Sequence, residues 1–558
     1  MMGIITNPAE DSVVREFFEL FKTPWEYVQK DRQYDVVLCA ENSNLDLVAP
    51  KLLIVYGSKK TSFDEHPRAD VLSTRQRSTT IYAGTRLPLL GSNLSFHHQG
   101  TEVLRDADSA ECIAYVERSG AQTFVRIGYD LFREVHALLT QGQCPLNATS
   151  ATLDLHIAFL RDLIVGCGIP LVEVPPLPDG YPFIACLTHD VDHPFIRTHK
   201  FDPTMLGFLY RAMIGSIINL SRGRMTARKV FRNWVAALKL PFVYFGLAKD
   251  FWNDFQNYVA IERGHPSTFF FIPFRGIAGR TTTGTAPPLR ACRYELSQLA
   301  SHVSELRAAG CEIGLHGIDA WIDSFRGREE AEKISQLSGI KDIGVRMHWL
   351  YMNPDSPALL DEVGFLYDST SGYSETVGYR AGTSQIFKPM QAKKLLELPM
   401  QIMDTALFYP ARLNLSETQA WNRLGPVLDH VVCHGGVLTI NWHDRSIAPE
   451  RLWGDFYARL LDSLHDRGPW FATATQAVHW FLRRRSVKFD WPQRKGEPAH
   501  IRILLSPDQN LPPMRLRIHR PQHLQSNKLV FSKEYESVDL CLNRDVEFGL
   551  DELGELKL

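Results

Sequence analysis

The sequence predicts an α/β protein whose central part, residues 183–485, is a parallel (β/α) barrel. An N-terminal α+β domain (1–165) precedes it and a small β-rich C-terminal domain (490–558) follows it. Two observations predict the barrel. Short apolar segments alternate with helical patterns over about 300 residues, and several of these segments end at ionisable side chains. A chain of 558 residues also exceeds what one hydrophobic core ordinarily holds, so several domains are expected.

The N-terminal domain is predicted from mixed patterns. Residues 1 to about 30 show helical spacing of Phe17, Phe18 and Phe21, and helical patterns recur at 129–140 and 151–167. Short β-like runs lie between them, at 35–39, 52–56, 80–82, 113–116 and 123–127. No recognisable catalytic cluster occurs here, so this domain receives no predicted role. A proline-rich connection, 174–182, leads into the barrel.

The barrel is predicted from its alternating elements. Candidate strands lie at 183–188, 268–272, 312–315, 343–346, 365–368, 385–387, 396–401, 436–440 and 470–472. Helical patterns lie at about 226–262, 295–309, 327–338, 355–363, 416–433, 449–467 and 474–484. In parallel barrels, catalytic side chains gather at the carboxyl ends of the strands.

The C-terminal domain is predicted from short alternating segments separated by turns. These segments are 501–505, 516–518, 529–531 and 538–542. Their pattern indicates a small β-rich domain, for which packing or interaction is the simplest role.

Bulk composition excludes some function classes. The net charge of −2 offers no electrostatic basis for binding nucleic acid. The nine cysteines lack CxxC spacing and are odd in number, which favours a reducing compartment over a disulfide framework. The N-terminus shows no basic region followed by an apolar one, so we expect no signal peptide and a cytoplasmic protein. The oligomeric state is left open.

The most membrane-like segment is Met205–Leu220. It contains Arg211 and falls short of the roughly 20 apolar residues that span a bilayer, so we expect a buried or surface amphipathic helix rather than a transmembrane one. Peripheral membrane contact stays open, through one helical face that comprises Met205, Phe208, Leu209, Ala212 and Met213.

One short stretch, Thr188-His-Asp-Val-Asp192, organises the barrel. It ends the apolar run 183–187, and because side chains alternate along a strand, Asp190 and Asp192 point to the same side. Two neighbouring carboxylates repel unless a cation or a shared proton intervenes, which suits a metal ligand beside a general base. The alternative is a polar loop in which an aspartate caps the next helix. The flanking His189 and His193 are expected to support the site rather than to bind metal.

Other polar residues also follow predicted strands. His316 follows strand 312–315, Arg346 and His348 follow 343–345, and His443 follows 436–442. Each of them alone is compatible with a structural role. A barrel brings the ends of all these strands to one rim, however, and this convergence favours a site.

These residues lie in motifs that resemble the polysaccharide deacetylase (NodB-homology) family over about 183–480. Leu187-Thr-His-Asp-Val-Asp192 resembles its first motif, in the variant with one residue between the aspartates, and Glu312-Ile-Gly-Leu-His-Gly317 resembles its second. Gly344-Val-Arg-Met-His-Trp349 matches the position of the third, and Thr439-Ile-Asn-Trp-His443 resembles the late strand that ends in a histidine. The resemblance implies a distorted (β/α) barrel and metal-assisted removal of acetyl groups from carbohydrates.

The resemblance also implies a role for each residue. Asp190 is the general base, Asp192 and His316 are metal ligands, and His443 is the acid that protonates the leaving group. Arg346 orients the base and lowers its pKa. The expected cofactor is a divalent metal, Zn²⁺ first, with Co²⁺ and Ni²⁺ as alternatives.

The second motif departs from the family pattern. The family has another histidine four residues after the first, where this chain has Ala320. We expect His348 to be the third ligand, with Asp319 as the alternative. Trp349, Tyr373 and Trp442 are candidates for stacking on a sugar ring or for ordinary core packing, and the loop 371–382 suits sugar binding or a structural turn.

The resulting prediction is a metal-dependent deacetylase of an N-acetylated sugar in a polysaccharide or its precursor. Two alternatives stay open. One is a related amide hydrolase, such as a deformylase or a cyclic-amide hydrolase, and the other is a catalytically inactive barrel that binds glycan.

Overall fold

A computed structural model describes residues 1–30, 32–40, 50–65, 69–82, 84–120, 122–490, 500–505, 510–521 and 535–549. The chain divides into two compact units. The terminal unit comprises Met1–Gly180, Ala381–Gln385 and His479–Leu558, and the central unit comprises Tyr181–Arg380 and Ile386–Val478. The N- and C-terminal segments, which the sequence presents as two domains, therefore fall into one unit.

The terminal unit contains a mixed sheet of 11 strands. They are Met2–Ile5, Trp25–Tyr27, Val36–Ala40, Leu52–Tyr56, Ala69–Gln76, Thr79–Tyr82, Thr85–Pro88, Ser92–His98, Thr101–Asp106, Cys112–Ser119 and Gln122–Ile127. The helices Asp11–Leu20, Leu131–Thr140 and Thr152–Gly166 belong to the same unit. The prediction of one helical region over 1–30 is wrong at both ends, because Met2–Ile5 pairs in parallel with Trp25–Tyr27 and with Val36–Ala40.

The described C-terminal strands also lie in the terminal unit. Met514–Arg520 pairs with Leu171–Glu173 and with Glu536–Leu542, and a separate sheet comprises Lys488–Asp490, His500–Leu504 and Val546–Gly549. The predicted strand at 529–531 lies outside the described residues. Three of the four predicted segments, 501–505, 516–518 and 538–542, overlap strands that the structure describes.

The central unit is built on a curled sheet of nine strands, all paired in parallel. The order is Leu396–Glu397, Tyr367–Asp368, Val345–Met347, Glu312–Gly317, Ser267–Phe271, Ile184–Val191, Val437–Asn441 and Ile402–Met403, and Trp470–Phe471 also pairs with Ile184–Val191. All eight residues of Ile184–Val191 are buried, as expected for an apolar strand covered on both faces. The predicted mixed α/β class with a curled parallel sheet is confirmed.

Helices connect the strands of this sheet. They are Pro203–Tyr210, Ser216–Ser221, Ala227–Tyr244, Phe255–Ile261, Ala300–Ala308, Ser324–Ser338, Ser356–Val363, Asp404–Phe408, Glu417–His434 and Gly454–His465, with a π-helical turn at Arg211–Gly215. The helix Ala474–Ser486 follows the last strand, and its residues from His479 onward belong to the terminal unit. None of the described helices is long and apolar enough to cross a membrane. The helix predicted over 226–262 is two helices, because the chain turns at Gly246, which has a φ of +72°.

The chain between 396 and 403 joins the two edges of the sheet. The prediction of one strand over 396–401 is therefore wrong, since two strands of two residues each pair with opposite edges. Between them, the amide of Leu398 donates to Asp368 and that of Gln401 to Thr439. The segment predicted as a strand at 385–387 makes only one bridge, between Phe387 and Glu397.

A close contact between strands generates a stability prediction. A Cβ at Gly344 would lie 1.9 Å from Cζ of the fully buried Tyr367, whose hydroxyl donates to Glu312. We expect Gly344→Ala to lower the free energy of unfolding by at least about 1–3 kcal/mol, because the ring has to move within a packed core. Thermal and urea denaturation measure this loss.

The matched control for this substitution is Gly215→Ala, in the π-helical turn. A Cβ there would meet its nearest atoms at 3.5 and 3.8 Å, which are ordinary contacts. We expect no loss of stability, since alanine is the better helix former. An unchanged midpoint for Gly344→Ala would show that Tyr367 moves aside at little cost.

Candidate metal centre and active site

The parallel sheet brings the predicted site residues to one edge. Asp190 lies near the carboxyl end of Ile184–Val191, and Asp192 is the first residue after it. His316 and Arg346 are register partners on neighbouring strands, and His443 lies two residues beyond Val437–Asn441. Because parallel strands share a direction, these ends meet at the same rim.

Arg346 is fully buried and holds Asp190. Its Nη1 donates to Asp190 Oδ1 at 3.0 Å and to Thr188 Oγ1 at 2.8 Å, while Nε and Nη2 donate to the carbonyl and hydroxyl of Ser369. The second oxygen of Asp190 accepts a hydrogen bond from Asn441 Nδ2 at 2.7 Å. Both carboxylate oxygens are therefore held, which fixes the orientation of the group.

The pKa of Asp190 lies below its usual value. Burial raises the pKa, but the positive charges beside the group, that of the Arg346 guanidinium among them, outweigh this effect. The carboxylate is therefore ionised at neutral pH, as a proton acceptor must be.

Three possible ligand atoms converge beside Asp190. Asp192 Oδ1 lies 3.3 Å from His316 Nε2 and 3.3 Å from His348 Nδ1, and the two nitrogens are 2.9 Å apart. Asp192 Oδ1 is buried and has no partner with hydrogen-bond geometry, so neither of the two 3.3 Å distances is a well-formed hydrogen bond. Asp192, His316 and His348 together form a group that could hold a metal ion.

Backbone carbonyls determine which nitrogens of the two imidazoles carry protons. His316 Nδ1 lies 2.9 Å from the carbonyl of Arg346, and His348 Nε2 lies 3.0 Å from the carbonyl of Arg290. A carbonyl only accepts, so each of these nitrogens is a donor. In neutral imidazoles the facing nitrogens then both carry lone pairs, close to a carboxylate oxygen. Three acceptors at this spacing repel one another unless a cation or a shared proton lies among them.

The distances fit a divalent ion. For ligand atoms about 2.1 Å from one ion, the observed separations of 2.9 and 3.3 Å correspond to angles of about 87° and 104°, which zinc accepts. Burial lowers the pKa of His348, although Asp192 opposes this effect, and favours the neutral imidazole that a ligand must be. The three residues present therefore fit the metal that the sequence motifs imply.

Neither Asp319 nor position 320 belongs to this group. Asp319 Oδ1 accepts a hydrogen bond from the amide of Arg280 at 2.7 Å instead. Ala320 is fully buried, and its Cβ would lie 3.2 Å from a Cβ placed on Gly327 of the neighbouring helix. That packing leaves little room for the histidine that the family pattern has here.

His443 is held by a residue that the sequence motifs do not include. Its Nδ1 lies 2.6 Å from Asp404 Oδ1, and its amide donates to Asp404 Oδ2 at 2.7 Å. Burial lowers the pKa of His443, but Asp404, with smaller contributions from Asp192 and Asp190, more than offsets this effect and raises the pKa to about 9. The imidazole is therefore protonated near neutral pH, with Nε2 3.9 Å from Asp192 Oδ2.

In all, sequence reasoning missed three residues around the site. Asn441 lies inside the quoted late motif, yet amides rarely signal a role by themselves. Asp404 follows the predicted strand at 396–401, so its place at a strand end was an available signal. Asp444 accepts a hydrogen bond from the amide of His193, and burial raises the pKa of this carboxyl to about 7.

The predicted sugar-stacking residues differ in exposure. Trp349 is 42% exposed beside His348, with 5.9 Å between ring centroids, and its backbone adopts a positive φ of +62°. Non-glycine residues in this conformation are strained, and such strain concentrates at functional sites. Tyr373 is buried, and Trp442 is fully buried and stacks on Tyr457, so Trp349 alone offers a ring face to solvent.

The flanking histidines occupy supporting positions. His189 is fully buried, and its two ring nitrogens lie 2.8 Å from the carbonyl of Trp442 and 2.7 Å from Glu262. His193 is joined through its amide to Asp444. Neither belongs to the group of three possible ligands.

A second set of potential ligands, His98, Glu102 and Cys112, lies in the terminal unit. The Cys112 thiol donates to the carbonyl of Ala114, and burial raises its pKa to about 12. Because a thiol binds metal only after it loses its proton, this set is a weaker candidate than the group at the rim.

No protein-family profile matches the chain. No curated protein sequence matches it either. Among solved structures, the carbohydrate deacetylase Agd3 is 8% identical with a TM-score of 0.39, and the match covers 98% of this chain and 98% of that one.

Two other structures match about half of the chain. The allantoinase Puue is 15% identical with a TM-score of 0.33, over 55% of this chain and 93% of its own. A probable polysaccharide deacetylase from Pseudomonas aeruginosa PAO1 is 15% identical with a TM-score of 0.32, over 54% of this chain and 92% of its own. At these values we base the function on the residues and geometry of the site.

The arrangement of the ligands predicts the effect of removing one. We expect His348→Ala to weaken zinc binding by more than the roughly 10–100-fold that a lost supporting partner costs. Zinc content after gel filtration and competition with a chelator dye measure the change. Circular dichroism checks that the variant is folded.

The matched control is Asp319→Asn, which keeps an acceptor for the amide of Arg280. We expect this variant to retain zinc as the unsubstituted protein does. If His348→Ala kept its zinc and Asp319→Asn lost it, the third ligand would be Asp319 and not His348.

Proposed function

We propose that the protein is a metal-dependent hydrolase that removes the acetyl group from an N-acetylated sugar of a polysaccharide or its precursor. One observation carries the proposal. Two histidines and an aspartate that fit a divalent ion lie beside a second, separately held carboxylate and a protonated imidazole. Amide hydrolysis needs these components: an electrophilic centre, a base for water and an acid for the leaving nitrogen.

Asp192, His316 and His348 would hold the metal. When bound, a divalent ion supplies Lewis acidity to the acyl oxygen and acidifies water. Asp190 takes a proton from the attacking water, and its two oxygens are kept in place by Arg346 and Asn441. The charge of Arg346 keeps this base ionised, so that it is ready to accept the proton.

His443 donates a proton to the leaving group, whereas Asp190 accepts one from water. The C–N bond breaks as Nε2 donates its proton to the departing amine, which leaves acetate and the free amino sugar. Asp404 keeps the proton-bearing nitrogen aimed at the site and keeps the imidazole charged until this step. In the resting protein Asp190 is ionised and His443 is protonated, which is the combination that the reaction requires.

A carbohydrate substrate is supported by the surface beside the ligands. Asp192 and His443 retain 17% and 13% side-chain exposure, so this side of the site is open to solvent. The exposed indole of Trp349 next to His348 offers a flat apolar surface, on which the face of a pyranose ring packs.

An inactive glycan-binding barrel is the second candidate. The missing histidine at position 320 favours it. The location of His348 weakens it, because this residue offers a third possible ligand from a different strand end. Zinc content and acetate release distinguish the two functions.

We expect the purified protein to release acetate from an N-acetylated sugar or oligosaccharide within a panel, and we expect a chelator to abolish the release.

Asp190→Asn should lower kcat roughly 10²–10⁴-fold, as the loss of a general base does, with zinc retained. The exposed Asp355→Asn serves as a control of the same chemistry and should keep full activity. Unchanged kcat in Asp190→Asn would remove Asp190 from the mechanism, and glycan binding without acetate release would favour the inactive barrel.

The pH profile tests His443 and Asp404 together. The acid must carry its proton, so the rate should fall as the pH rises through the pKa of His443, about 9. In Asp404→Asn the negative charge that raises this pKa is lost, and we expect the alkaline limb to move to lower pH. If the alkaline limb of the pH profile is unchanged in Asp404→Asn, another group, such as the metal-activated water, determines the pH at which the rate falls.

A further inference from the structure

A helical hairpin of the central unit has two apolar faces. Its first arm runs through Pro203–Tyr210, the π-helical turn and Ser216–Ser221, and its second arm is Ala227–Tyr244. The inner face is buried in a hydrophobic cluster. This cluster contains Met205, Phe208 and Ala212 of the first arm together with Ala236, Leu240, Val243 and Trp252. The face for which the sequence left membrane contact open is thus largely core, because the second arm covers it.

The outer face is apolar as well, and it is exposed. It comprises Leu206, Tyr210, Met213, Ile214, Ile217 and Leu220 on the first arm and Phe231, Trp234, Leu238, Phe242 and Phe245 on the second. These residues recur three or four positions apart, so each arm carries a continuous stripe. Leu238, for example, is 71% exposed. Scattered apolar residues are normal on a protein surface, but continuous stripes of large side chains on two helical arms that pack together mark a site of interaction.

The charge of the same segment is one-sided. Residues 203–249 contain eight lysines and arginines and no aspartate or glutamate, although the whole chain has 61 basic and 63 acidic residues. Arg211, Lys229 and Lys249 have acidic partners elsewhere in the unit. The other five, Arg222, Arg224, Arg228, Arg232 and Lys239, are exposed. Arg228, Arg232 and Lys239 recur along one side of the apolar stripe on the second arm.

We propose that this hairpin lies in the surface of an anionic membrane, with the outer apolar face among the acyl chains and the basic residues against lipid phosphates. An amphipathic helix of this kind inserts about 5–10 Å into the boundary between headgroups and chains. The basic residues beside the outer face favour an anionic lipid surface over a second copy of the chain as its partner. Two copies joined through this face would bring their basic flanks together, whereas acidic headgroups neutralise them.

The hairpin is tied to the segments that carry the site. Arg211 Nε lies 2.7 Å from Glu450 Oε2, and the amide of Glu450 donates to Asn233 in the second arm. Glu450 follows His443 in the same loop region. At the other end, Asp250 accepts hydrogen bonds from the amides of 196 and 197, which follow Asp192. Attachment through the hairpin therefore holds the site at a fixed distance from the bilayer.

Vesicle flotation tests this proposal on the full chain, without any assay of activity. The probes are vesicles of phosphatidylglycerol with phosphatidylcholine and vesicles of phosphatidylcholine alone. We expect binding to the anionic vesicles, roughly tenfold or more above binding to the neutral ones at low salt. The double variant Leu238→Glu/Phe242→Glu should lose roughly tenfold or more of this binding, because it places charges in the inserted face.

A second double variant, Arg228→Glu/Arg232→Glu, tests the charges. It should bind anionic vesicles less well at low salt, and high salt should reduce the difference from the unsubstituted protein. Matched controls are Phe325→Glu, which is 64% exposed on another helix, and the exposed Arg307→Glu. Both should bind as the unsubstituted protein does. The altered side chains are exposed, so thermal midpoints should stay close together.

Three results would overturn the proposal. One is the absence of binding to anionic vesicles at low salt. Another is an equal loss of binding in Phe325→Glu and in the hairpin variants. The third is a dimer in sedimentation velocity that dissociates in Leu238→Glu/Phe242→Glu without any binding to vesicles, which would assign the outer face to a second copy of the chain.

Discussion

The contacts of Arg346 are the constraint on which the functional rim depends. A fully buried guanidinium is tolerated only when its charge is paired and its donors are satisfied. The guanidinium of Arg346 meets this requirement by donating to Asp190, Thr188 and Ser369. The backbone carbonyl of Arg346 accepts a hydrogen bond from His316 Nδ1. One residue therefore links its own strand end to the ends of three other strands, 184–191, 312–317 and 367–368. It orients the candidate base with its side chain and a candidate ligand with its backbone.

Asp190 and Asp192 illustrate how environment separates two carboxylates of the same stretch. Both point to one side, as strand alternation predicts, and both lie near His316 Nε2, at 3.8 and 3.3 Å. Asp190 has both oxygens occupied by donors, whereas Asp192 Oδ1 has no hydrogen-bond partner. A group whose oxygens are already held suits proton transfer, and a group with a free, buried oxygen suits a cation. The division of roles between them follows from their partners and not from their residue type.

The fold was predictable where a pattern is local and unpredictable where pairing is distant. The apolar runs 183–187 and 268–272 indicated strands correctly, because burial on both faces requires such composition. The strand Met2–Ile5 was missed, because only its neighbours in the sheet distinguish it from the helix that follows. In the hairpin, helical spacing predicted an amphipathic helix but identified the wrong exposed face. A helix with two apolar stripes carries no local mark of which one its partner covers.

The sequence by itself determined the pair Asp190 and Asp192, the histidine and arginine positions at strand ends, and the α/β class, since residue type, alternation and spacing specify these features within a few positions. Only the tertiary structure decided that His348 joins Asp192 and His316, while Asp319 is engaged elsewhere. It also decided that Asp404 holds His443. These residues lie up to about 250 positions apart in the chain, and no local pattern records a distance of 3 Å between side chains that folding alone brings together.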